Sequence, residues 1–555
     1  MRISAVTGNK YQIPSFGAAI VNVNAFSDTH GELRLANNAL EEMRSRQQDI
    51  FCRENKGRLN VLAICGDWFM DGAKRGYTSN PEKKNAEFQL DILNEFINQI
   101  KGMAGAETTT LFTAGNHEFD GGVELLDEIL SKIDAEVLMT NLDIENSPAF
   151  EKSISGDKII NKKIVEADDD KDPDLKHKLM FLGVCPVNMH AYQRNTEGLT
   201  FLDNIDKPQR YVKKEDYKTT FDECKRRIAE FKSENPDGIV IFLSHTGVQF
   251  ADNLAKESTV DLIFDGHEHE DLMRMVNNTP IVPLSQNFKK IVNAEININD
   301  NGKLEKININ PFSPLKNETK GPLSKLYYSL FKDDAKKKYQ IKTDVKDLKT
   351  LDVKDVRGKN NFLANFVTDS ILSELQKQDS SIDFFALNSS SIRHSLNISH
   401  NEKSSVSDLD VMNVLAGISI NDGAVMITEL TGRDIVYIVL DNFLFNQDKP
   451  QQNSLIHYSG LITDRTRMLE DYQKGKSLDE LAKYVTDTRT GMPLEVDKKY
   501  KIANAEKYFN KSSNPVIKSM KEQSEYTGDT VQELFKRHFE KSDGVLYAKC
   551  DVRIK

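Results

Sequence analysis

The chain has 555 residues, 39% of them hydrophobic and 29% charged, with 74 Lys+Arg against 85 Asp+Glu and a formal net charge of −11. At roughly 100–200 residues per domain this is enough chain for two to four domains, and a small disulfide-stapled scaffold is excluded. The acidic balance gives no electrostatic reason to attract nucleic acid, so no nucleic-acid partner is expected. The longest uninterrupted aliphatic or aromatic run, Ile435 to Leu440, falls far short of the ~18–20 apolar residues that span a bilayer, so no membrane partner is expected either. Five cysteines, odd in number and without a CxxC pair, read as free thiols of a reducing compartment. The first residues lack the basic start, apolar stretch and small-residue cleavage pattern of a secretory signal. The expected location is cytoplasmic.

From about residue 18 to 310, short apolar runs alternate with amphipathic segments: AAIVNVNAF, LNVLAIC, TLFTA, KLMFLGV, GIVIFL and DLIF. This predicts strands with intervening helices, hence an α/β layered domain. Phe88, Leu90, Leu93, Phe96, Ile97 and Ile100 recur at helical spacing, as do Phe221, Ile228 and Phe231, which places helices over the sheet. The acidic ADDDKDPD around 167–174 reads as an exposed loop. The Lys- and Asp-rich stretch from about 300 to 355 reads as a surface helix or linker between two halves. Beyond it come an amphipathic helix, NFLANFVTDSILSEL, the strand-like segments DFFAL, AVMIT and IVYIVL, and a mixed α/β tail.

Five of the eleven histidines fall in four short polar motifs, FSDTHGE, AGNHEFD, LSHTGV and FDGHEHE, and ICGDWFMDG adds an aspartate. Four of these five motifs directly follow an apolar run, and side chains at the C-terminal ends of strands project into the crevice where α/β sheets gather ligands. Asp28, Asp67 and Asn116 offer oxygen, and His30, His245, His267 and His269 offer imidazole nitrogen, a set suited to hard or borderline divalent cations. Seven ligands exceed one ion's requirement. Two ions ~3.5–4 Å apart need a bridging carboxylate, for which Asp67 is the candidate, and a water between them ionises near neutral pH. Glycines beside Asp67, Asn116 and His267 allow the close turns such a cluster needs.

The order Asp-x-His, Gly-Asp, Gly-Asn-His-Glu, a lone His after a strand, then Gly-His-x-His resembles the calcineurin-like metallophosphoesterases. The resemblance implies that Asp28, His30, Asp67 and His269 hold one ion and Asp67, Asn116, His245 and His267 the other, with the identity of the two divalent ions open among Mn, Zn, Mg, Fe and Co. It leaves His117 free to stabilise charge at the phosphate or protonate the departing oxygen, with Asp120 orienting its ring. Glu118 and Glu268 read as solvated or supporting groups.

The length and second half resemble the 5′-nucleotidase group, which couples a metal domain to a C-terminal domain that grips the substrate. The matching segments are VLMTNLDIEN with Asn141, NFLANFVTD with Asn365 and Asp369, DFFALNSSSIR with Asn388 and Arg393, and LIHYSG with Ser459 and Gly460. The implied fold is an N-terminal metallophosphoesterase β-sandwich flanked by helices (residues 1–312), a linker or helix (313–355), and a 5′-nucleotidase-like α/β domain (356–555). Arg393 matches the substrate-gripping arginine, whose planar fork of donors suits phosphate or carboxylate. Arg357 lies near another family arginine, but its spacing to Asn365 is two residues too long. Where the group carries two base-stacking aromatics, this chain has VMNVLAGIS, with Ala416 and Gly417, and IANAEKYFNKSSNPV, in which Tyr508 or Phe509 is the candidate ring. The implied activity is hydrolysis of a nucleotide or related small phosphomonoester by in-line attack of a metal-bridging hydroxide. The alternatives are a 2′,3′-cyclic-nucleotide or nucleotide-sugar phosphodiesterase, and a noncatalytic scaffold retaining the fold.

Overall fold

The computed structural model describes residues 18–31, 33–51, 58–69, 85–105, 107–120, 122–150, 155–172, 174–189, 196–205, 212–314, 319–330, 338–398, 405–415, 418, 423–447, 455–506 and 514–555. They form two compact units, one ending at Leu330 and the other running on to Lys555.

The first unit is built on two sheets. One has seven strands: β1 (Ala19–Phe26), β2 (Arg58–Cys65), β3 (Thr109–Thr113), β4 (Glu136–Leu138), β5 (Ile159–Ile160), β12 (Ile291–Ile298) and β13 (Leu304–Phe312), in the order β13-β12-β1-β2-β3-β4-β5. The other has six: β6 (Lys163–Asp168), β7 (Lys176–Val184), β8 (Ile239–Ser244), β9 (Leu262–Asp265), β10 (Arg274–Val276) and β11 (Thr279–Pro283), in the order β10-β11-β9-β8-β7-β6. Val21, Val23, Val61 and Ala63 from the first sheet share one core with Leu179, Phe181, Ile241, Leu243 and Phe264 from the second, so the sheets pack face to face.

β8 shows how the apolar runs work. Every residue of IVIFLS is buried. Ile239, Ile241 and Leu243 face the inter-sheet core, while Val240 and Phe242 face an outer core with Phe221, Ile228 and Phe231 of helix Lys218–Glu234 and Phe250 and Leu254 of helix Val248–Glu257. A strand covered on both faces therefore reads as a continuous apolar run. Helix Asn85–Ala104 covers the other sheet, where Phe96 packs edge-on against Phe26. β1, β2 and β3 pair in parallel, and so do β7, β8 and β9. The loops that leave their C-terminal ends carry the motifs.

Two local expectations are corrected. The acidic 167–174 stretch is not simply an exposed loop: it continues strand β6 to Asp168, and Asp169 is buried, receiving a 2.9 Å hydrogen bond from His177 Nε2. The run IVYIVL is not a strand but the middle of helix Gly432–Phe445. Thr431 and Asp434 form a reciprocal capping box at its start, and that signal outweighs the β-branched content of a short apolar run.

The stretch 313–355 contains helix Pro322–Leu330 in the first unit and strands Lys338–Thr343 and Thr350–Leu351 in the second. The second unit has a five-stranded sheet, ordered Ile456–Ser459, Phe384–Asn388, Lys499–Ala505, Ala424–Thr431 and Glu525–Thr530. Helix Phe362–Gln378 lies against it, started by Asn361, whose side chain accepts from the Ala364 N–H at 3.0 Å. No described helix is long and apolar enough to cross a membrane.

Candidate metal centre

Five strand ends contribute to one cluster. Asp28 and His30 follow β1, Asp67 follows β2, Asn116 and His117 follow β3, His245 follows β8, and His267 and His269 follow β9. Backbone bonds tie the loops together: the N–H of Asp28 donates to Gly66 O at 3.0 Å and that of His30 to Asp67 O at 2.9 Å. His245 Nδ1 donates to Cys65 O at 2.5 Å, which joins the facing sheets and leaves Nε2 for the centre.

Asp28, His30, Asp67, His267 and His269 all have positive φ, between +51° and +75°. Such backbone is costly for residues with a Cβ and persists where surrounding contacts over-determine it, a hallmark of functional sites. Gly115 answers to the same crowding: a Cβ there would lie 2.2 Å from Asp67 Oδ1 and 2.7 Å from His245 Nε2.

Three overlapping groups emerge. Asp28, His30 and His269 offer atoms within 4.8 Å of one another, and so do His30, Asp67 and His117, and Asp67, His245 and His267. Asp67 Oδ2 joins them, standing 3.4 Å from His30 Nε2 and 3.2 Å from His245 Nε2. Asp28 Oδ1 is 2.9 Å from His269 Nε2, and Asp28 Oδ2 accepts the His267 backbone N–H at 3.0 Å. Asn116 is buried, and its Oδ1 has no hydrogen-bond partner among the described residues. A buried amide oxygen left unpaired is costly unless something else meets it. Carboxylate, imidazole and amide oxygen are together the donor set of a divalent cation, so these residues fit one or more such ions.

The electrostatics agree. Burial alone would push the Asp28 and Asp67 carboxyls up. Around Asp28, His269, His245 and His30 outweigh it, and around Asp67, His245 and His117 do, so both carboxyls lie well below the usual range. Burial, reinforced by repulsion from His245, pushes His267 down to about 3, which keeps its lone pair free.

His117 stands at the edge of the cluster. It lies within reach of His30 and Asp67, its backbone N–H donates to Asp67 Oδ1 at 2.9 Å, and its Nδ1 donates to Asp120 Oδ2 at 2.8 Å. Asp120 thereby occupies Nδ1 and leaves Nε2 as the ring's other nitrogen.

One carboxylate escaped the sequence reading of this centre, and one is narrowed from two alternatives. Asp265, in FDGHEHE, is buried at the end of β9, and burial pushes its carboxyl up to about 7. Of the roles open to Glu118, solvated or supporting, burial removes the first; burial and the neighbouring Asp67 charge raise its carboxyl to about 7 against the pull of backbone N–H donors.

In the second unit, Asn388 ends strand Phe384–Asn388, and Arg393 is half-buried with its N–H donating to Val414 O at 2.8 Å. Arg357 is half-buried, burial lowers its guanidinium pKa, and that group meets no partner among the described residues. Leu455 donates to Arg357 O and accepts from the Ser389 N–H, which sets Arg357 beside Asn388 at one end of the sheet. Asn365, Asp369 and Ser459 serve the fold: Asn365 donates to Asp551 O at 2.9 Å, and Asp369 receives both the Ser459 hydroxyl and a two-pronged bond from Arg553. Asn141 is likewise buried, tying the chain after β4 to Cys185. Ala416, Gly417, Tyr508 and Phe509 lie outside the described residues.

A sandwich with ligand-bearing loops at its parallel strand ends defines a class. Residues 21–271 match the family model of the calcineurin-like phosphoesterases, and the chain carries a calcineurin-like phosphoesterase domain. Its fold over nearly the whole length is that of two-domain 5′-nucleotidase structures. The crystal structure of a 5′-nucleotidase precursor from Thermus thermophilus is 16% identical, covers 97% of this chain and 99% of that one, and has a TM-score of 0.65. A 5′-nucleotidase structure from Staphylococcus aureus is 14% identical over 97% and 99%, with a TM-score of 0.59. The sulfate thiohydrolase SoxB of Thermus thermophilus is 13% identical over 98% of each chain, with a TM-score of 0.61. No curated protein sequence matches the chain.

Proposed function

We propose that the protein is a metal-dependent phosphoesterase that hydrolyses a nucleotide or related small phosphomonoester, with a pair of divalent ions held by Asp28, His30, Asp67 and His269 on one side and Asp67, Asn116, His245 and His267 on the other. The observation that carries this reading is the place of Asp67 Oδ2 between His30 Nε2 at 3.4 Å and His245 Nε2 at 3.2 Å, beside a buried Asn116 oxygen that no described group satisfies. When bound, the ions would supply an activated water at neutral pH and neutralise phosphate oxygens. The chain's own residues do the rest. Asp120 fixes the His117 ring, and a protonated Nε2 gives its proton to the departing ester oxygen. Buried walls around Asp28, Asp67 and His245 strengthen every charge interaction at the site.

Residues 1–312 serve in this reading as the catalytic domain and 356–555 as the substrate domain. Asn388, Arg393 and the unpaired guanidinium of Arg357 suit an anionic or sugar-bearing substrate. Tyr508 or Phe509 is the candidate stacking ring. The described cysteines Cys65, Cys185, Cys224 and Cys550 are free, which fits a reducing compartment.

The test is phosphate release with added manganese from nucleoside monophosphates, cyclic nucleotides, nucleotide-sugars, sugar phosphates and an aryl phosphate. The expected result is chelator-sensitive release, greatest from nucleoside monophosphates. Protein that binds metal yet shows no chelator-sensitive turnover on any of them is a scaffold.

A further inference from the structure

Glu118 sits between the loops that carry Asp67 and Asn116, shielded from solvent. It is 1% exposed. Its Oε2 accepts the backbone N–H of Asp67 at 2.9 Å and that of Gly115 at 2.6 Å, while Oε1 accepts the N–H of Phe69 at 3.1 Å. Three donors from two loops thus converge on one buried side chain. The loop after β2 delivers Asp67, and Gly115 immediately precedes Asn116.

The backbone at Asp67 is held at φ +53°, a conformation that needs external contacts to persist. Glu118 supplies them at the N–H of Asp67 itself and again two residues later. It also fixes Gly115, at the point where that residue passes under Asp67 Oδ1 and His245 Nε2. Only a side chain with two acceptor oxygens satisfies all three donors. A carboxamide of the same length must turn its NH₂ toward at least one N–H, leaving a buried donor facing a donor.

We infer that Glu118 is a positioning residue that sets the spacing of Asp67 and Asn116, and therefore the affinity of the site for the ion those two share. The inference deepens the phosphoesterase reading and rests on it. Groups that orient ligands in this way change metal affinity about 10–100-fold when lost.

The experiment titrates Mn²⁺ alone into the metal-stripped full chain and follows Trp68, the single tryptophan, which adjoins Asp67. Kinetics on an aryl phosphate run in parallel. Glu118→Gln is expected to raise the half-saturating Mn²⁺ concentration about tenfold or more and to lower kcat while KM stays within about twofold. Glu118→Asp keeps both oxygens on a shorter arm and should recover part of the affinity. Wild-type Mn²⁺ affinity in Glu118→Gln overturns the inference, and so does Glu118→Gln weakening with no recovery in Glu118→Asp, which marks lost packing. If Glu118→Gln does not fold, Glu118→Ala takes its place: weaker Mn²⁺ binding in that variant, partly restored in Glu118→Asp, supports the inference, and wild-type binding in Glu118→Ala overturns it. Wild-type protein that binds Mn²⁺ without releasing phosphate defeats the phosphoesterase reading, while the fluorescence titration still tests Glu118.

Discussion

Two polar clusters, one in each unit, are built in opposite ways. In the first, Asp28, Asp67, His245 and Asn116 are packed together with an amide oxygen unsatisfied and ligand backbones in the left-handed region. In the second, Asp369, Ser459 and Arg553 satisfy one another, with Arg553 Nη2 2.5 Å from Asp369 Oδ2. Strain and unmet valence suit a cluster that takes a ligand; a cluster that serves the fold closes on itself. Family-like motifs occur in both units, so the motif alone does not separate the two uses.

The sharpest way to break this contrast is Asp67→Ala. It removes the carboxylate that stands between His30 and His245, and in the proposed two-ion centre metal-dependent phosphate release should be abolished. Retained turnover would mean Asp67 does not bridge. His117→Ala comes next: loss of a positioned proton donor should cost about 10²–10⁴-fold in kcat. Its Mn²⁺ affinity should stay near wild type, because Asp120 already holds its Nδ1. Metal loss in that variant would make His117 a ligand.

Asp369→Ala probes the other side. It strands Arg553, 6% exposed, without its two-pronged partner. Breaking a buried pair typically costs 3–5 kcal/mol; here about 3 kcal/mol is expected, since Asp369 is partly exposed and Asp551 still faces Arg553 Nε at 3.0 Å. Thermal melting should fall accordingly while Mn²⁺ affinity is unchanged. A loss of Mn²⁺ affinity instead would mean that Asp369 acts on the metal centre rather than on the fold.

These differences bear on what was readable from sequence. The ligand loops stood out because each follows a short apolar run and presents Asp, Asn or His beside glycine, a local pattern with a direct structural counterpart. Glu118 did not, because one glutamate after Asn-His looks like any solvated residue; only the fold shows three backbone N–H groups aimed at it. The nearest signal was its place three residues beyond Gly115, the reach of a side chain back to a turn's own N–H. Ile435–Leu440 misled because a six-residue β-branched run has no period long enough to separate helix from strand, and the decisive cue, Thr431 with Asp434, lay outside it. Asp369 resembled a substrate-domain motif and proved to anchor Arg553, a contact 184 residues away that no local pattern encodes.

A pH-dependent effect, absent at neutral pH, tests the second unit at a residue with no place in the proposed chemistry. His457 is buried, and its Nε2–H donates to Val356 O at 2.8 Å. Burial, with Arg553 nearby adding repulsion, overcomes the raising effect of that bond and pushes His457 down to about 4. The unfolded chain titrates near 6.5. Above pH 6.5 both states are neutral and the residue contributes no pH dependence. Between 6.5 and 4 the unfolded chain takes up a proton that the folded one refuses, so stability falls with falling pH by about 1.4 kcal/mol per unit. His457→Gln preserves a donor for Val356 without a titrating ring, and it should flatten the melting temperature across that window. An unchanged slope would place the acid sensitivity on other groups and show that His457 takes up its proton as readily in the fold as in the unfolded chain.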